Sequence, residues 1–211
     1  MTEATGPRIP PLPTDQWDDQ VSVGIAALRP AGATQELRRS KGGPRGINIL
    51  GTLAQYPAMM EKYHTFAGHI LYLNSLEPRH RELLILRVAV LGGVAYEWHQ
   101  HVYIARELGV SDEELERIAE GGDAPGWSEL EAALLRAVDE LVVDAFMSDE
   151  TWTVLAGQLD RHQLMDLVFT VGNYYLLAMA FLSFGVPLDT DLAAVEPPLP
   201  RNASRNGREA K

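Results

Sequence analysis

The chain has 211 residues, of which 46% are hydrophobic and 22% are charged, so we expect a globular protein with a core of its own. Its 18 basic and 29 acidic residues give a net charge of −11, which disfavours binding to nucleic acid or to an anionic membrane surface. The absence of cysteine excludes disulfide bonds, thiolate metal ligands, cysteine nucleophiles and dithiol redox chemistry.

The positions of the prolines divide the sequence into three parts. Of the 13 prolines, only Pro57, Pro78 and Pro125 lie between residues 46 and 185. Proline interrupts regular structure, so the stretch that lacks it is the expected folded core. We therefore predict a proline-rich N-terminal arm (1–45), a helical domain (46–190) and a flexible polar tail (191–211).

The arm shows no targeting signal. No basic region followed by an apolar stretch opens the sequence, and no uninterrupted apolar run approaches about 18 residues, so a cytoplasmic protein without a membrane span is expected. One short helix is predicted from Asp15 to Leu28, capped by Thr14 or Asp15. A small basic cluster is interpreted as a solvated loop; it consists of Arg38, Arg39, Lys41 and Arg45.

Apolar residues in the domain recur at helical spacing, and no alternating strand pattern of useful length is present, which predicts an all-α fold. Pro57 and Pro78 stand where prolines occur in the first turn of a helix. The glycines at 92–93 predict a break, after which a second helix runs from about Val94 to a left-handed cap at Gly109.

Polar caps predict the later helices. Ser111 and Ser128 each precede a glutamate at the third position, and Ser148 precedes two acidic residues, so each is expected to begin a helix. Asp160 is expected to cap a long helix over 163–184 that is apolar on most faces. Such a helix lies at the centre of a protein or at a subunit interface.

One apolar segment, from Glu82 to His101, contains charged residues that a solvated helix face does not require. On a helix, Glu97 and His101 are one turn apart on one face, so a carboxylate–imidazole pair is expected. His99 lies about 200° around the helix from His101, which disfavours a metal site that uses both histidines.

Structural interpretations of these residues remain open. The Glu97–His101 pair can be an ordinary surface pair, and Glu82 can complement the positive end of a helix dipole. Arg87 can bind a substrate carboxylate, or it can form a buried ion pair with Glu82 or an interface partner. Three tyrosines can donate hydrogen bonds to a substrate carbonyl, or they can be half-polar core residues: Tyr96, Tyr174 and Tyr175.

The same segment resembles the carboxymuconolactone decarboxylase and alkyl hydroperoxidase D (AhpD) family. The resemblance rests on the run from Arg79 to Ala89, the Tyr-Glu-Trp-His-Gln-His motif at 96–101, and the Val-Gly-Asn-Tyr-Tyr stretch at 171–175. It implies an all-helical bundle of the AhpD type that forms homo-oligomers (dimers, trimers or hexamers). It also implies a small-molecule substrate and, in the decarboxylase branch, chemistry without a metal or organic cofactor.

The resemblance also assigns residues. In the peroxidase branch the working groups are a glutamate, a Cys-x-x-Cys pair and a histidine. These fall on Glu82, on Val94 and Glu97, and on His101. The acid and the histidine are therefore kept and both sulfurs are missing, which excludes thiol peroxidase activity.

Two functional hypotheses follow. The first is a cofactor-free acid–base enzyme with catalytic Glu82, Glu97 and His101, acting on a small lactone, keto acid or related aromatic-degradation intermediate by decarboxylation or isomerisation. The second is a catalytically degenerate oligomer that binds a ligand or serves as an accessory protein. A weaker third reading, a metal-dependent hydrolase or oxygenase, requires a fourth ligand besides those three side chains.

Overall fold

A computed structural model describes residues 6–31, 46–190, 192 and 197–200. Within these residues the regular structure is helical and contains no β-strand, which confirms the predicted all-α class for this part of the chain. The α-helices of the described residues are α1 (Asp19–Ala27), α2 (Ile47–Leu53), α3 (Pro57–Gly68), α4 (Pro78–Gly92), α5 (Ala95–Glu107), α6 (Asp112–Glu120), α7 (Glu129–Asp144), α8 (Asp149–Gln158) and α9 (Arg161–Phe184).

Local caps determine where several helices begin. Ser111 and Ser128 form capping boxes with Glu114 and Glu131, as their spacing predicts. The side chain of Ser148 accepts a hydrogen bond from the backbone N–H of Thr151 at the start of α8. These bonds satisfy N–H groups that have no partner within the helix, so the start of each helix is encoded locally.

The arm helix differs from its prediction. A short 3₁₀ turn covers Thr14–Gln16, and α1 begins only at Asp19. Asp18 is the actual cap, because its Oδ1 accepts from the N–H of Val21 at 2.9 Å. The predicted caps at Thr14 or Asp15 are therefore wrong: the helix starts at the aspartate that reaches an N–H three residues ahead.

The chain divides into two compact units, and the division falls inside α9. Of the described residues, the first comprises 6–31, 46–74, 179–190 and 192, and the second comprises 75–178 and 197–200. In the first unit α1 packs on α3 around a small apolar core. The described part of the arm therefore belongs to a folded unit.

In the second unit α4 is the central element. It packs against α5, α6 and α7, and nearly all of its residues are buried. The core of this unit includes Leu83, Leu86, Trp98 and Leu135. Both α4 and α5, which carry the predicted site, thus lie in one unit.

Two predicted segments are only partly within the described residues. The basic cluster at residues 38–45 lies outside them. The predicted flexible tail (191–211) is described only at residue 192 and at 197–200. These residues differ from the prediction: Leu192 is buried, the indole N–H of Trp98 donates to the carbonyl of Pro197 at 2.8 Å, and Leu199 packs on the core of the second unit. Their apolar and carbonyl groups thus contact the folded protein.

Helix α9 is, among the described helices, the one that is both long and apolar enough to be a candidate membrane span. An 18-residue window within it has a mean hydropathy of 1.6, so by length and composition alone it could span a membrane. A core helix of a soluble protein can pass the same test, and 39% of that window is buried within the protein.

Candidate active site

A helical hairpin brings the predicted acid and histidine together. Gly93 follows α4 in the left-handed conformation with φ 69°, and the N–H of Val94 returns to the carbonyl of Ala89 at 2.9 Å. This is the glycine-dependent end that the two adjacent glycines predict. It turns the chain so that α5 packs on α4 and places His101 beside Glu82.

Glu82 and His101 form a short buried pair. His101 Nδ1 lies 2.6 Å from Glu82 Oε2, and both side chains are buried. Burial alone would raise the pKa of Glu82, but the charges and hydrogen bonds of His101 and Arg81 outweigh burial and lower it below the ordinary value. Glu82 is therefore an ionised acceptor, so Nδ1 is the donor and Nε2 is the remaining site for proton exchange.

Arg81 completes this cluster. Its guanidinium is only 1% exposed, and Nε and Nη2 lie 3.1 and 3.0 Å from Oε1 of Glu82. Each oxygen of Glu82 thus has a basic partner, Arg81 at Oε1 and His101 at Oε2. The sequence does not indicate Arg81 as a partner of Glu82, because adjacent residues of a helix project about 100° apart and their spacing gives no sign of a pair.

Glu97 has a different environment. It is 2% exposed, and neither carboxyl oxygen has a hydrogen-bond partner among the described residues. Burial raises the pKa of Glu97 well above the ordinary value, which favours the neutral carboxylic acid over the carboxylate.

The predicted Glu97–His101 pair is wrong. His101 Nδ1 bonds instead to Glu82, which is 19 residues away in sequence and one helix away in space. A buried carboxylate stays ionised only where several donors share its charge, and Glu82 has Arg81 as a second donor. The hydrogen bond therefore goes to the better stabilised carboxylate.

The tyrosines separate into buried and exposed residues. Tyr174 is buried, and its ring meets the ring of His101 edge to face, with centroids 5.0 Å apart and planes at 90°. Tyr96 is buried on α5, next to Glu97 in sequence. Tyr175 is 38% exposed and lies about 100° around α9 from Tyr174, so the structure does not bring it to the buried cluster.

Arg87 forms a buried ion pair, as one of its interpretations predicted, but its partner is Asp139 and the predicted partner Glu82 is wrong. Its Nε and Nη2 donate to the two carboxylate oxygens of Asp139 at 2.6 and 3.0 Å. Nη1 donates to the carbonyls of Ile118 and Ala119, each at 2.8 Å. Four of the five guanidinium N–H groups are thus used to join α4 to α6 and α7, which is a structural role.

The described residues contain no group of three or more histidine, aspartate or glutamate side chains arranged to hold a metal ion. Both oxygens of Glu82 accept hydrogen bonds from Arg81 and His101, while neither oxygen of Glu97 has a hydrogen-bond partner.

Comparison with known proteins identifies the region that carries these residues. Residues 57–140 match the model of the carboxymuconolactone decarboxylase family. This region of the chain is similar to the carboxymuconolactone decarboxylase family. Glu82, Glu97 and His101 all lie within the matched region of this family domain. A comparison with curated protein sequences found no match.

Solved structures of AhpD-like proteins share the fold. The debrominase Bmp8, in its apo form, is 14% identical with a TM-score of 0.69, and the match covers 89% of this chain and 95% of Bmp8. A protein of unknown function from Agrobacterium tumefaciens, named in connection with AhpD and antioxidant defence, is 18% identical with a TM-score of 0.59. That match covers 65% of this chain and 95% of the other.

A third structure is the AhpD core of an uncharacterized peroxidase-related protein from Ralstonia eutropha JMP134. It is 15% identical with a TM-score of 0.60, and the match covers 69% of this chain and 78% of that one. At these identities the comparisons establish the fold of the family domain, and its chemistry has to be argued from its own side chains.

Proposed function

We propose that this protein is an acid–base enzyme that needs no cofactor and acts on a small lactone, keto acid or related intermediate of aromatic degradation. The reaction class is decarboxylation or isomerisation by proton transfer. One observation carries the proposal: the buried hydrogen bond between Glu82 and His101, 2.6 Å long, which leaves Nε2 of an oriented imidazole to exchange protons with a substrate.

The three predicted catalytic residues have different roles in this proposal. Both oxygens of Glu82 are engaged, so Glu82 orients His101 and does not itself touch substrate. His101 removes or delivers the proton at carbon. Glu97, whose raised pKa favours the carboxylic acid, donates a hydrogen bond to the carbonyl oxygen where negative charge develops.

This division of roles matches the electrostatics of the two glutamates. The basic partners of Glu82 lower its pKa despite burial, and burial without a partner raises the pKa of Glu97 and favours its protonated form. Two carboxyl groups whose environments drive their pKa values in opposite directions are typical of sites that combine a base system with a general acid. A carbanion or enolate is the intermediate that such a pair stabilises.

The structural relatives widen the choice of test compounds. A cysteine-to-alanine variant of the debrominase Bmp8 was solved in complex with 2,3,4-tribromopyrrole, at 14% identity and a TM-score of 0.69, over 92% of this chain and 97% of Bmp8. This chain has no cysteine, so thiol chemistry is unavailable to it. Small aromatic heterocycles nevertheless belong in the substrate panel as binding candidates.

The test is a mass-spectrometric assay of γ-carboxymuconolactone and related lactones and keto acids, with parallel detection of deuterium uptake from D2O. Wild type is expected to release CO2 or to exchange a carbon-bound proton. His101→Gln is expected to lose about 10²–10⁴-fold in kcat, since it lacks the proton-transfer group. His162→Gln, which changes an exposed histidine of α9, is the matched control. Undiminished turnover by His101→Gln would contradict the proposal.

The alternative is a family member that binds a ligand without turning it over. It is favoured by the replacement of both peroxidase cysteines, at Val94 and Glu97. Thermal stabilisation by a compound that wild type neither decarboxylates nor exchanges would support this alternative. A pH-dependent turnover that requires His101 would exclude it.

A further inference from the structure

We propose that Arg81 is the positioning residue of the site: it fixes the carboxylate of Glu82 so that His101 keeps its proton on Nδ1 and presents Nε2. The tautomer itself does not depend on the reaction. Its catalytic consequence rests on the proposed acid–base function.

The arrangement of the Arg81 guanidinium carries this inference. A guanidinium can clasp both oxygens of a carboxylate in parallel. Here Nε and Nη2 both go to Oε1 of Glu82, at 3.1 and 3.0 Å, which leaves Oε2 for His101 at 2.6 Å. Arg81 therefore divides the two oxygens between two partners, and the carboxylate cannot rotate without breaking bonds on both sides.

Burial makes this restraint strong. The side chains of Arg81 and Glu82 are 1% and 0% exposed, so solvent does not compete for the carboxylate. The arginine and the glutamate form a neutral pair, and the histidine meets a carboxylate whose charge is already balanced. Surface pairs between adjacent helical residues have no comparable effect, because water screens them.

Loss of Arg81 would change the protonation of the cluster. With the positive charge removed, the carboxylate of Glu82 takes up a proton from solvent more readily, because a cation that lowers its pKa is gone. A protonated Glu82 can donate to Nδ1, and the ring then carries its own proton on Nε2, the wrong tautomer for a base. The acidic limb of the kcat/KM profile is therefore expected to move to higher pH, with kcat lowered and KM little changed.

The primary measurement is long-range ¹H–¹⁵N NMR of protein labelled at its histidine ring nitrogens, which reports the tautomer without any substrate. Wild-type His101 is expected to show protonation at Nδ1. Arg81→Met is expected to populate the Nε2–H form and to lose about 10–100-fold in kcat, as outer partners of functional histidines do. Arg81→Lys, which keeps the charge, is expected to restore most of the Nδ1–H signal.

Arg79→Met is the matched control, because Arg79 lies on the same helix and pairs with Glu114 and Glu131, away from His101. It should leave the tautomer unchanged. If Arg81→Met does not fold, Arg81→Gln removes the charge while keeping one amide donor to Oε1, and the same Nε2–H form is expected. An unchanged Nδ1–H signal in a folded variant that lacks the charge overturns the proposal.

The outcomes separate this inference from the proposed function. If the tautomer of His101 changes in the Arg81 variants but wild type turns over no compound, the positioning role of Arg81 is supported and the proposed enzymatic function is contradicted. If turnover requires His101 but the tautomer of His101 is the same in wild type and in the Arg81 variants, the proposed enzymatic function is supported and the positioning role of Arg81 is overturned.

Discussion

The pKa values of two buried glutamates in one helical hairpin are shifted in opposite directions, and the difference arises from their neighbours. Glu82 has Arg81 and His101 within hydrogen-bond distance, whereas Glu97 has no hydrogen-bond partner among the described residues. An unpartnered buried polar group costs about 1–3 kcal/mol of stability. The unpaired carboxyl group of Glu97 therefore lowers the stability of the folded protein, as expected for a group whose hydrogen-bond partner is a substrate.

Replacing Glu97 should therefore stabilise the protein and abolish its activity. Glu97→Met is expected to raise the free energy of unfolding at pH 7 by about 1–3 kcal/mol, because it removes the unsatisfied carboxyl group and keeps the volume. Urea denaturation of both proteins measures the change. A destabilised Glu97→Met variant would show that the carboxyl group has a structural partner.

The pH dependence of Glu97 has a definite sign. Its folded pKa is raised, so the unfolded state releases the proton first, and wild-type stability falls as pH rises from the ordinary glutamate pKa through the folded pKa. Glu97→Gln cannot titrate and should lose this slope. Unfolding free energies measured from pH 4 to 8 test this. Parallel curves for the two proteins would contradict the raised pKa.

Arg87 has a structural role that mutation can separate from substrate binding. Arg87→Met removes the bonds to Asp139 and leaves the carbonyls of Ile118 and Ala119 without their donor, so a loss of about 3 kcal/mol is expected. Asp139→Asn, at a half-exposed carboxylate, should cost about 1 kcal/mol. Both variants should keep the KM of wild type at a temperature where they are folded. A KM that is raised for Arg87→Met alone would support the interpretation that Arg87 binds a substrate carboxylate.

At the scale of helices, His64 joins the described arm to the rest of the first unit. Its Nδ1 lies 2.8 Å from the carbonyl of Gly24, which links α3 to α1, and the side chain is buried. Burial lowers the pKa of His64, an effect that the bond to Gly24 only partly offsets. The neutral imidazole is thus the form that holds α1 in place.

The contribution of His64 is therefore expected to be lost in acid. With a lowered folded pKa, the stability is present above the ordinary histidine pKa and falls as pH drops from there through the folded pKa. Hydrogen exchange over 19–27 should accelerate in that window in wild type. His64→Gln, which does not titrate, should lack the acceleration, and exposed His162→Gln should retain it.

The ends of the helices were predictable from sequence where they are fixed by caps or glycines whose contacts lie within a few residues. The capping boxes at Ser111 and Ser128, and the left-handed glycine after α4, involve contacts within a few residues. The helix over 69–73 has π geometry, and no cap or periodicity indicates such a widened turn.

The site was predictable only in part, for the same reason. The resemblance assigned Glu82 and His101, but the sequence favoured Glu97 as the partner of His101 because helical spacing reports neighbours on one helix. The actual pair joins two helices, and the pair of Arg87 with Asp139 spans 52 residues. Such contacts depend on tertiary packing, which the spacing of residues in a single sequence does not reveal.

At the scale of the molecule, one side of α9 exposes large apolar side chains. No charged residue occurs from Leu167 to Phe184, and large apolar side chains recur every three or four residues along this exposed side. Within the second unit they are Met165, Val168, Phe169, Tyr175 and Leu176, exposed by 37–54%. Gly172 lies in the same stripe with open space where a side chain would stand, so another helix can approach closely.

We propose that a second copy of the chain covers this face. The net charge of −11 opposes contact with anionic lipid headgroups, whereas a stripe without charge can pair with its own copy without electrostatic cost. Light scattering should then give wild type a mass that is a multiple of 23.3 kDa. The double variant Phe169→Glu, Leu176→Glu should give a folded monomer, because it places like charges within the contact.

Val143→Glu, at a highly exposed position of α7, is the control and should leave the mass of wild type unchanged. A monomeric wild type that co-sediments with vesicles through Phe169 and Leu176 would assign this face to a membrane instead. If the double variant keeps the oligomeric mass, the copies meet through another surface. Because Tyr174 of the site precedes Tyr175 and Leu176 of this stripe on one helix, loss of the oligomer should also lower turnover if assembly holds α9 against His101.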